Sequence, residues 1–111
     1  MVGNIYFFNI AYSNFKQLKG RPILIIKELE NDFLFLPLTS NLSRDGFLLK
    51  NTNLKDGYLQ KDSVIIVPKI SVIDKNLIKS EAKYIATIKP KIFSNIFKLI
   101  CNKLGYNKWK Y

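Results

Sequence analysis

A cation and two hydroxyls, those of Arg21, Thr39 and Ser40, are the side chains in this sequence best suited to act on a substrate together. Arg21 directly precedes one apolar, strand-like run, and Thr39 and Ser40 directly follow another. Residues 30–32 between the runs are typical of a turn, so we predict that the two strands form a hairpin. In an antiparallel hairpin the start of one strand lies beside the end of the other, so the three side chains should share one sheet edge. A fixed guanidinium beside hydroxyls suits a phosphodiester better than other common substrates.

RNA cleavage is a reaction that these residue types can support without other catalytic groups. RNA carries its own nucleophile, the 2′-hydroxyl, whose attack on the adjacent phosphorus yields a 2′,3′-cyclic phosphate. The enzyme must align the two groups, stabilise charge on phosphorus and assist proton transfer. Arg21 would hold the phosphate, and Thr39 or Ser40 would hydrogen-bond to it. A structural interpretation stays open, since an arginine before a strand often forms a surface salt bridge and Thr-Ser after one often forms a turn.

Several common catalytic chemistries are excluded by composition. The chain has no histidine, which excludes Ser-His-Asp and Cys-His catalysis and removes the usual nitrogen ligand of zinc. The only carboxylate cluster, Glu28, Glu30 and Asp32, flanks the predicted turn, and we interpret it as a solvated turn rather than a cation site. The lone Cys101 follows Ile100 in a helical segment and is expected to be a buried small hydrophobe. No glycine-rich phosphate loop is present, so we predict neither a cofactor nor a metal.

Length and charge narrow the class of protein. The 111 residues predict a single domain over residues 1–111, and 48% hydrophobic and 14% aromatic residues predict a folded chain. The net charge of +10 attracts polyanions, of which nucleic acid is the usual one, although a lysine-rich genome bias alone would also produce it. The apolar runs are too short to cross a membrane, the N-terminus makes a poor signal peptide, and one cysteine cannot form an internal disulfide. We therefore predict a cytoplasmic protein with no membrane association.

The pattern of apolar residues predicts a mainly β fold that ends in a helix. The predicted strands are residues 4–11, 22–29, 32–38, 46–50, 63–71 and 84–88, with an edge or bulge at Pro68. Apolar residues then recur every three or four positions in a helix that starts at Pro90 and stops at Gly105. Its start is poorly capped, because Lys89 and Lys91 oppose the helix dipole. The basic, aromatic tail, residues 107–111, either stacks on bases or is a terminus that frays or packs on a partner.

Taken in order, five segments of the chain resemble the MazF/PemK family of toxin endoribonucleases. They are residues 3–7, 19–26, 36–40, 63–66 and 71–74, and the terminal helix also looks like the last element of that family. The most specific part is Arg21-Pro22 before a strand, followed by Pro37-Leu38-Thr39-Ser40. The resemblance implies a small SH3-like β-barrel with a C-terminal α-helix, acting as a homodimer. It also implies metal-independent cleavage of single-stranded RNA and a cognate antitoxin protein that occludes the site.

The same resemblance assigns site residues by position. The family's catalytic arginine and threonine fall on Arg21 and Thr39, with Ser40 adjacent. The residues expected to bind RNA are Tyr12, Ser13, Asn14, Lys16, Gln17 and Lys19 in the loop before Arg21, together with Asn41, Arg44 and Lys69.

The chain departs from the family pattern at four positions. The usual Gly-Asp start is Gly3-Asn4 here, and Lys16 stands where many members carry an acid. An arginine and an aspartate that assist catalysis in the PemK subgroup correspond to Ile66 and Pro68. Lys69, Lys19 or Arg21 itself is then left to assist proton transfer.

Two other functions fit the same sequence. One is a toxin of the same fold that binds and poisons a protein target, as gyrase-directed relatives do. The other is an SH3-like nucleic-acid-binding module without catalysis. RNA cleavage by the purified protein in EDTA separates the endoribonuclease from both.

Overall fold

The computed structural model describes residues 1–11 and 18–105, and at residues 9–11, 18 and 19 it describes the backbone alone. This part of the chain forms eight β-strands and two α-helices. The strands are β1 (Asn4–Ala11), β2 (Leu18–Glu28), β3 (Asp32–Thr39), β4 (Phe47–Leu49), β5 (Leu54–Gly57), β6 (Ser63–Ile65), β7 (Ser71–Asp74) and β8 (Lys83–Ile88). The helices are α1 (Lys75–Glu81) and α2 (Pro90–Lys103), and a short 3₁₀ turn spans Asn51–Asn53. The loop at residues 12–17 and the tail at 106–111 lie outside the described residues.

The strands form one antiparallel sheet in the order β4-β6-β3-β2-β1-β8-β5, with β7 paired to the first half of β3. The sheet curls into a half-barrel that is open between its end strands, and α2 packs against the concave core. The predicted mainly β fold with a C-terminal helix is therefore confirmed. The predicted strands at 4–11, 32–38 and 84–88 are found within one residue of their expected bounds.

The predicted hairpin is formed by β2 and β3. Ile23 pairs with Pro37 at its open end and Glu28 pairs with Phe33 at its closed end, where Leu29 N donates to Asp32 O at 2.8 Å. β2 begins four residues earlier than predicted, at Leu18, because its first half pairs with β1. The hairpin is therefore held from both sides, which fixes the end that carries Arg21.

The sheet is buried on both faces, which explains the continuous apolar run in β2. Leu24 and Ile26 point into a large cluster that includes Ile96 and Ile100 of α2. Ile23 and Ile25 point into a second cluster on the opposite face. Its other members are Phe8, Phe33, Phe35, Ile73 of β7 and Ile78 of α1. Burial on alternate sides removes the polar-apolar alternation that a half-exposed strand would show.

The prediction of one strand at residues 63–71 is wrong: only residues 63–65, in β6, and residue 71, the first of β7, lie in strands, and the chain bulges out of the sheet between them at Pro68. Leu38 of β3 pairs with Ile65, whereas Phe35 pairs with Ser71, so three steps along β3 match six along its partner. The bulge expected at Pro68 is therefore present, and the Val67–Pro68 peptide is cis. The extra residues lift Lys69 and Ile70 out of the pairing.

Helix α2 matches its prediction except at Cys101. It begins at Pro90, its N-cap Lys89 makes no side-chain capping bond, and Gly105 after its end has a φ of 78°. Burial of Ile96 and Ile100 against the sheet compensates for the poor cap. The prediction that Cys101 is buried is wrong, since the residue is half-exposed on the flank of the helix. Neither helix in residues 1–11 and 18–105 is long and apolar enough to cross a membrane.

Candidate active site

The three residues expected to act together line one cleft of about 770 Å³, the main cleft. Arg21 and Thr39 are half-buried in its wall, and Ser40 is exposed at its rim. The remaining lining residues are Phe7, Gly20, Pro22, Leu38, Tyr58, Leu59, Gln60, Lys61, Ser63, Lys83, Tyr84 and Ile85. The β2–β3 register brings the residues together, because Arg21 and Thr39 each lie two positions beyond the Ile23–Pro37 pair, at the open end of the hairpin.

The hydroxyl of Thr39 organises the loop that follows β3. Its Oγ1 accepts a hydrogen bond from Asn41 N at 3.2 Å. Asn41 in turn accepts through Oδ1 from Ser43 N at 3.1 Å and from Ser43 Oγ at 2.6 Å. Because Thr39 Oγ1 serves as the acceptor in this turn, its own proton is left to donate into the cleft. The hydroxyl is thus fixed in place and suited to a phosphate oxygen.

Three aromatic side chains line the main cleft, those of Phe7, Tyr58 and Tyr84. The tip of the Phe7 ring fills the space that a side chain at position 20 would take: a Cβ on Gly20 would lie 2.0 Å from Phe7 Cζ. All three rings remain exposed, with Tyr58 at 67%. Exposed rings beside cations are the arrangement on which single-stranded nucleic acids stack their bases.

A hydrogen-bond network across β1, β5 and β8 holds Tyr84. Its hydroxyl donates to Asp56 Oδ2 at 2.7 Å and lies 2.6 Å from Thr87 Oγ1. Thr87 donates to Asn4 Oδ1 at 2.9 Å, and Asn4 Nδ2 donates to Tyr6 OH at 3.2 Å. Asn4 therefore uses both a donor and an acceptor, which the aspartate expected from the family pattern could not do.

The network also shifts the pKa of Tyr84. The hydrogen bond with Thr87 lowers this pKa, but burial together with the hydrogen bond and negative charge of Asp56 outweighs it. The net result is that the pKa of Tyr84 is raised above its usual value, so the phenol is neutral at physiological pH.

The charged side chains of the main cleft are all cationic: Arg21, Lys61 and Lys83. No Asp or Glu lies among the described residues that line it. Within residues 1–11 and 18–105, no three His, Cys, Asp or Glu side chains gather to hold a metal ion. Glu28, from the predicted turn cluster, is bound to Lys75 Nζ at 2.9 Å, and this hydrogen bond and charge lower the pKa of Glu28. The cleft thus favours an anionic ligand.

A second cavity of about 200 Å³, the small pocket, shares Arg21 with the main cleft. Its other lining residues are Phe35, Pro37, Arg44, Ile66, Lys69 and Ser71. Ile66 is thus a wall residue of this pocket, and the cations in its described lining are Arg21, Arg44 and Lys69.

The residues expected to bind RNA are divided by the structure. Arg44 and Lys69 line the small pocket, whereas Asn41 lines neither cavity and forms the turn after β3. Only the backbone of Lys19 is described, and Tyr12, Ser13, Asn14, Lys16 and Gln17 lie outside the described residues.

Sequence reasoning missed five side chains of the main cleft, namely Phe7, Tyr58, Lys61, Lys83 and Tyr84. The available signal was the closeness of tyrosine and lysine in residues 58–61 and 83–84, which is typical of nucleic-acid-binding surfaces.

The chain matches a known protein family. The family described as PemK-like, MazF-like toxin of type II toxin-antitoxin system matches residues 1–104. The match includes both cavities and all eight strands. None of the curated proteins matches the chain closely enough to count as a relative.

Proposed function

The chain belongs to the family of PemK-like, MazF-like toxins of type II toxin–antitoxin systems, and we propose on this premise that it is an endoribonuclease. Its substrate is single-stranded RNA, which it cleaves in the cytoplasm through the 2′-hydroxyl of the RNA itself. A type II toxin has a protein antitoxin as partner, and we propose that this antitoxin covers the main cleft.

The observation that carries the proposal is the composition of the main cleft. Arg21 and Thr39 line one wall of it together with three exposed aromatic rings and two lysines. The rings suit unpaired bases and the cations suit the phosphate backbone. A double helix hides its bases in the stack, so this surface favours a single strand.

The proposed reaction is an in-line displacement at phosphorus. The 2′-oxygen forms a bond to the phosphorus as its proton passes to an acceptor, and the bond between phosphorus and the 5′-oxygen breaks. The leaving 5′-oxygen gains a proton, so the products end in a 2′,3′-cyclic phosphate and a 5′-hydroxyl. Arg21 stabilises the charge that develops on the phosphoryl oxygens, and Thr39 donates a hydrogen bond to one of them.

Since no Asp or Glu is among the described lining residues of the main cleft, groups other than carboxylates must transfer the protons. The titratable side chains in the described lining are those of Arg21, Tyr58, Lys61, Lys83 and Tyr84. A lysine ammonium can protonate the leaving oxygen, and solvent or a neutral amine can accept the proton of the 2′-hydroxyl. Catalysis then depends mainly on alignment and on electrostatic stabilisation by Arg21.

Single-turnover cleavage of RNA in EDTA by Arg21 variants tests this function. Loss of one preorganised donor costs about a hundred- to a thousandfold in rate, so Arg21→Ala should be slower by that factor. Arg21→Lys should recover activity only in part, because an ammonium cannot form the bidentate fork. Lys98→Ala, an exposed change on α2 that lines neither cavity, should cleave at the wild-type rate.

Two results would contradict the proposal. One is a folded Arg21→Ala protein, checked by circular dichroism, that cleaves at the wild-type rate. The other is equal cutting of a substrate that lacks the 2′-hydroxyl at the cleaved nucleotide. Binding of RNA by the wild-type protein without any cleavage would instead favour a non-catalytic binding module.

A further inference from the structure

We propose that the small pocket binds a second, non-scissile phosphate of the RNA strand, next to the phosphate held between Arg21 and Thr39. This inference rests on the proposed function, because it assigns a subsite to the same substrate. It names Arg44 and Lys69 as the residues that hold the second phosphate.

The position of the pocket supports a neighbouring phosphate. Arg21 lines both the main cleft and the small pocket, so the two cavities meet at its side chain. A strand whose bases lie on the rings of the main cleft can therefore continue past Arg21 into the small pocket. The pocket holds about 200 Å³, less than the roughly 300 Å³ at which sites for whole organic ligands begin. A phosphate suits this volume better than a base with its sugar.

The charged residues that the structure describes in the small pocket are all cationic. Arg21, Arg44 and Lys69 line it, and no Asp or Glu is among its described lining residues. In the part of the chain that the structure describes, neither Arg44 nor Lys69 forms an ion pair. Asp45, the acid next to Arg44, is bound to Lys103 of α2, and this bond lowers the pKa of Asp45. The negative charge of Asp45 is therefore paired with Lys103 and does not neutralise Arg44.

The pocket is also held in shape by its backbone. Arg44 N donates to Asn41 O at 3.2 Å, in the turn that Thr39 anchors, and Lys69 N donates to Ile66 O at 3.2 Å, in the bulge of the β6–β7 segment. Phe35, Pro37 and Ile66 form an apolar wall. An apolar wall strengthens the attraction between cations and a phosphate, and the Ser71 hydroxyl adds a neutral donor.

Binding without cleavage tests the subsite independently of the reaction. The probe is a fluorescein-labelled single-stranded RNA of about 12 nucleotides, a length within the range that single-strand sites cover, with fluorine in place of every 2′-hydroxyl. Each phosphate contact contributes about 0.7 to the slope of log affinity against log salt concentration. The Arg44→Gln/Lys69→Gln variant, which loses the contact with one phosphate, should therefore lower this slope by about 0.7. The control Lys98→Gln, with a charge change on the far helix, should leave the slope unchanged.

A neutral linkage in the probe then locates the phosphate. A single methylphosphonate is moved along an oligonucleotide that carries a sequence the protein cleaves. At one position next to the cleaved linkage, it should weaken binding by the wild type but not by the double variant. At other contacted positions it should weaken both proteins equally.

The outcomes separate the two proposals. Cleavage by the wild type with an unchanged slope in the double variant overturns the subsite and leaves the endoribonuclease standing. A lowered slope without any cleavage supports the anion subsite and overturns the proposed reaction. If the double variant has a lower salt slope but the methylphosphonate weakens both proteins equally at every position, the assignment to one phosphate is overturned.

Discussion

Thr39 has two separable roles at the end of β3. Its oxygen accepts the hydrogen bond from Asn41 N at 3.2 Å that begins the turn, and its proton is left for a substrate. A serine keeps both roles, whereas a valine keeps the shape and loses both. The comparison of wild type with Thr39→Val therefore measures the hydroxyl without a change in side-chain volume.

We expect Thr39→Ser to retain most of the cleavage rate and Thr39→Val to lose about a hundredfold, as for one preorganised donor. The loss should lie in the single-turnover rate, and thermal unfolding should show both variants folded. Lys98→Ala, an exposed change that lines neither cavity, is the control. A Thr39→Val protein that cleaves as fast as Thr39→Ser would show that the hydroxyl does not contact the reacting phosphate.

Gly20 and Phe7 form a pair in which one residue sets the position of the other. A Cβ on Gly20 would lie 2.0 Å from Phe7 Cζ, so Gly20→Ala must displace the ring. Phe7 is 42% exposed, so the ring has room to move and the fold should survive. We expect Gly20→Ala and Phe7→Ala each to weaken RNA binding by about 1 to 3 kcal/mol, the typical value of one stacked base.

The double variant Phe7→Ala/Gly20→Ala tests the cause. If the ring is the only route by which Gly20 acts, the double variant should bind RNA as weakly as Phe7→Ala alone, in titrations followed by fluorescence. Additive losses would mean that the backbone at Gly20 itself contacts the strand.

At the scale of elements, the hairpin was predictable because its signals are local. An apolar run, a polar turn and a second apolar run lie within residues 22–38, and antiparallel pairing then brings Arg21 to Thr39. The bulge at Pro68 was predictable for the same reason, since proline cannot donate to the ladder. What remained hidden was that β2 continues back to Leu18, because that extension depends on pairing with β1.

Elements with little burial of their own were missed. Helix α1 spans only two turns and buries one residue, Ile78, so it has no apolar period. Its local signal was the N-cap Asp74, whose carboxylate accepts from Asn76 N at 2.7 Å. Strand β5 buries only Leu54 and exists because it pairs with β8. The cleft residues from β8 were not foreseen either, since they come near Arg21 only because β8 pairs with β1, which in turn pairs with β2.

The network that joins β1, β5 and β8 has a pH dependence that can be measured. The raised pKa of Tyr84 means that the folded protein favours the neutral phenol more than the unfolded chain does. Its contribution to stability is complete below the ordinary tyrosine pKa of about 10 and is lost as pH rises through the raised value. Asp56→Asn removes the negative charge that raises the pKa of Tyr84, so we expect that pKa to fall.

Phenolate absorbance of wild type, Asp56→Asn and Tyr84→Phe gives the measurement. The difference between wild type and Tyr84→Phe isolates the titration of Tyr84, which should occur above the ordinary tyrosine pKa of about 10. In Asp56→Asn it should move to lower pH. Ionisation of Tyr84 at or below the ordinary tyrosine pKa in the wild type would show that the hydrogen bond to Asp56 is absent in solution.

At the scale of the whole molecule, the positive charge is concentrated by the fold rather than by the sequence. The net charge is +10, with lysines spread along the entire chain. Folding pairs two acids, Glu28 and Asp45, with lysines outside both cavities. Folding also places only cations among the charged residues that the structure describes in the main cleft and small pocket. A polyanion is therefore attracted to the whole surface and held at these cavities.

The surface also carries exposed apolar side chains that a second copy of the chain can cover. Leu48 on the end strand β4 is 46% exposed, Val72 on β7 is 61% and Leu104 after α2 is 62%. We propose a homodimer with an isologous interface, and light scattering at micromolar concentration should give twice the chain mass of 12.9 kDa.

An end strand pairs poorly with another copy when it carries a charge, so Leu48→Lys should shift the equilibrium towards monomer. The control Leu29→Lys, in the β2–β3 turn, should stay dimeric. A wild-type mass of one chain across the whole concentration range would refute the dimer, and a dimeric Leu48→Lys would move the interface away from β4.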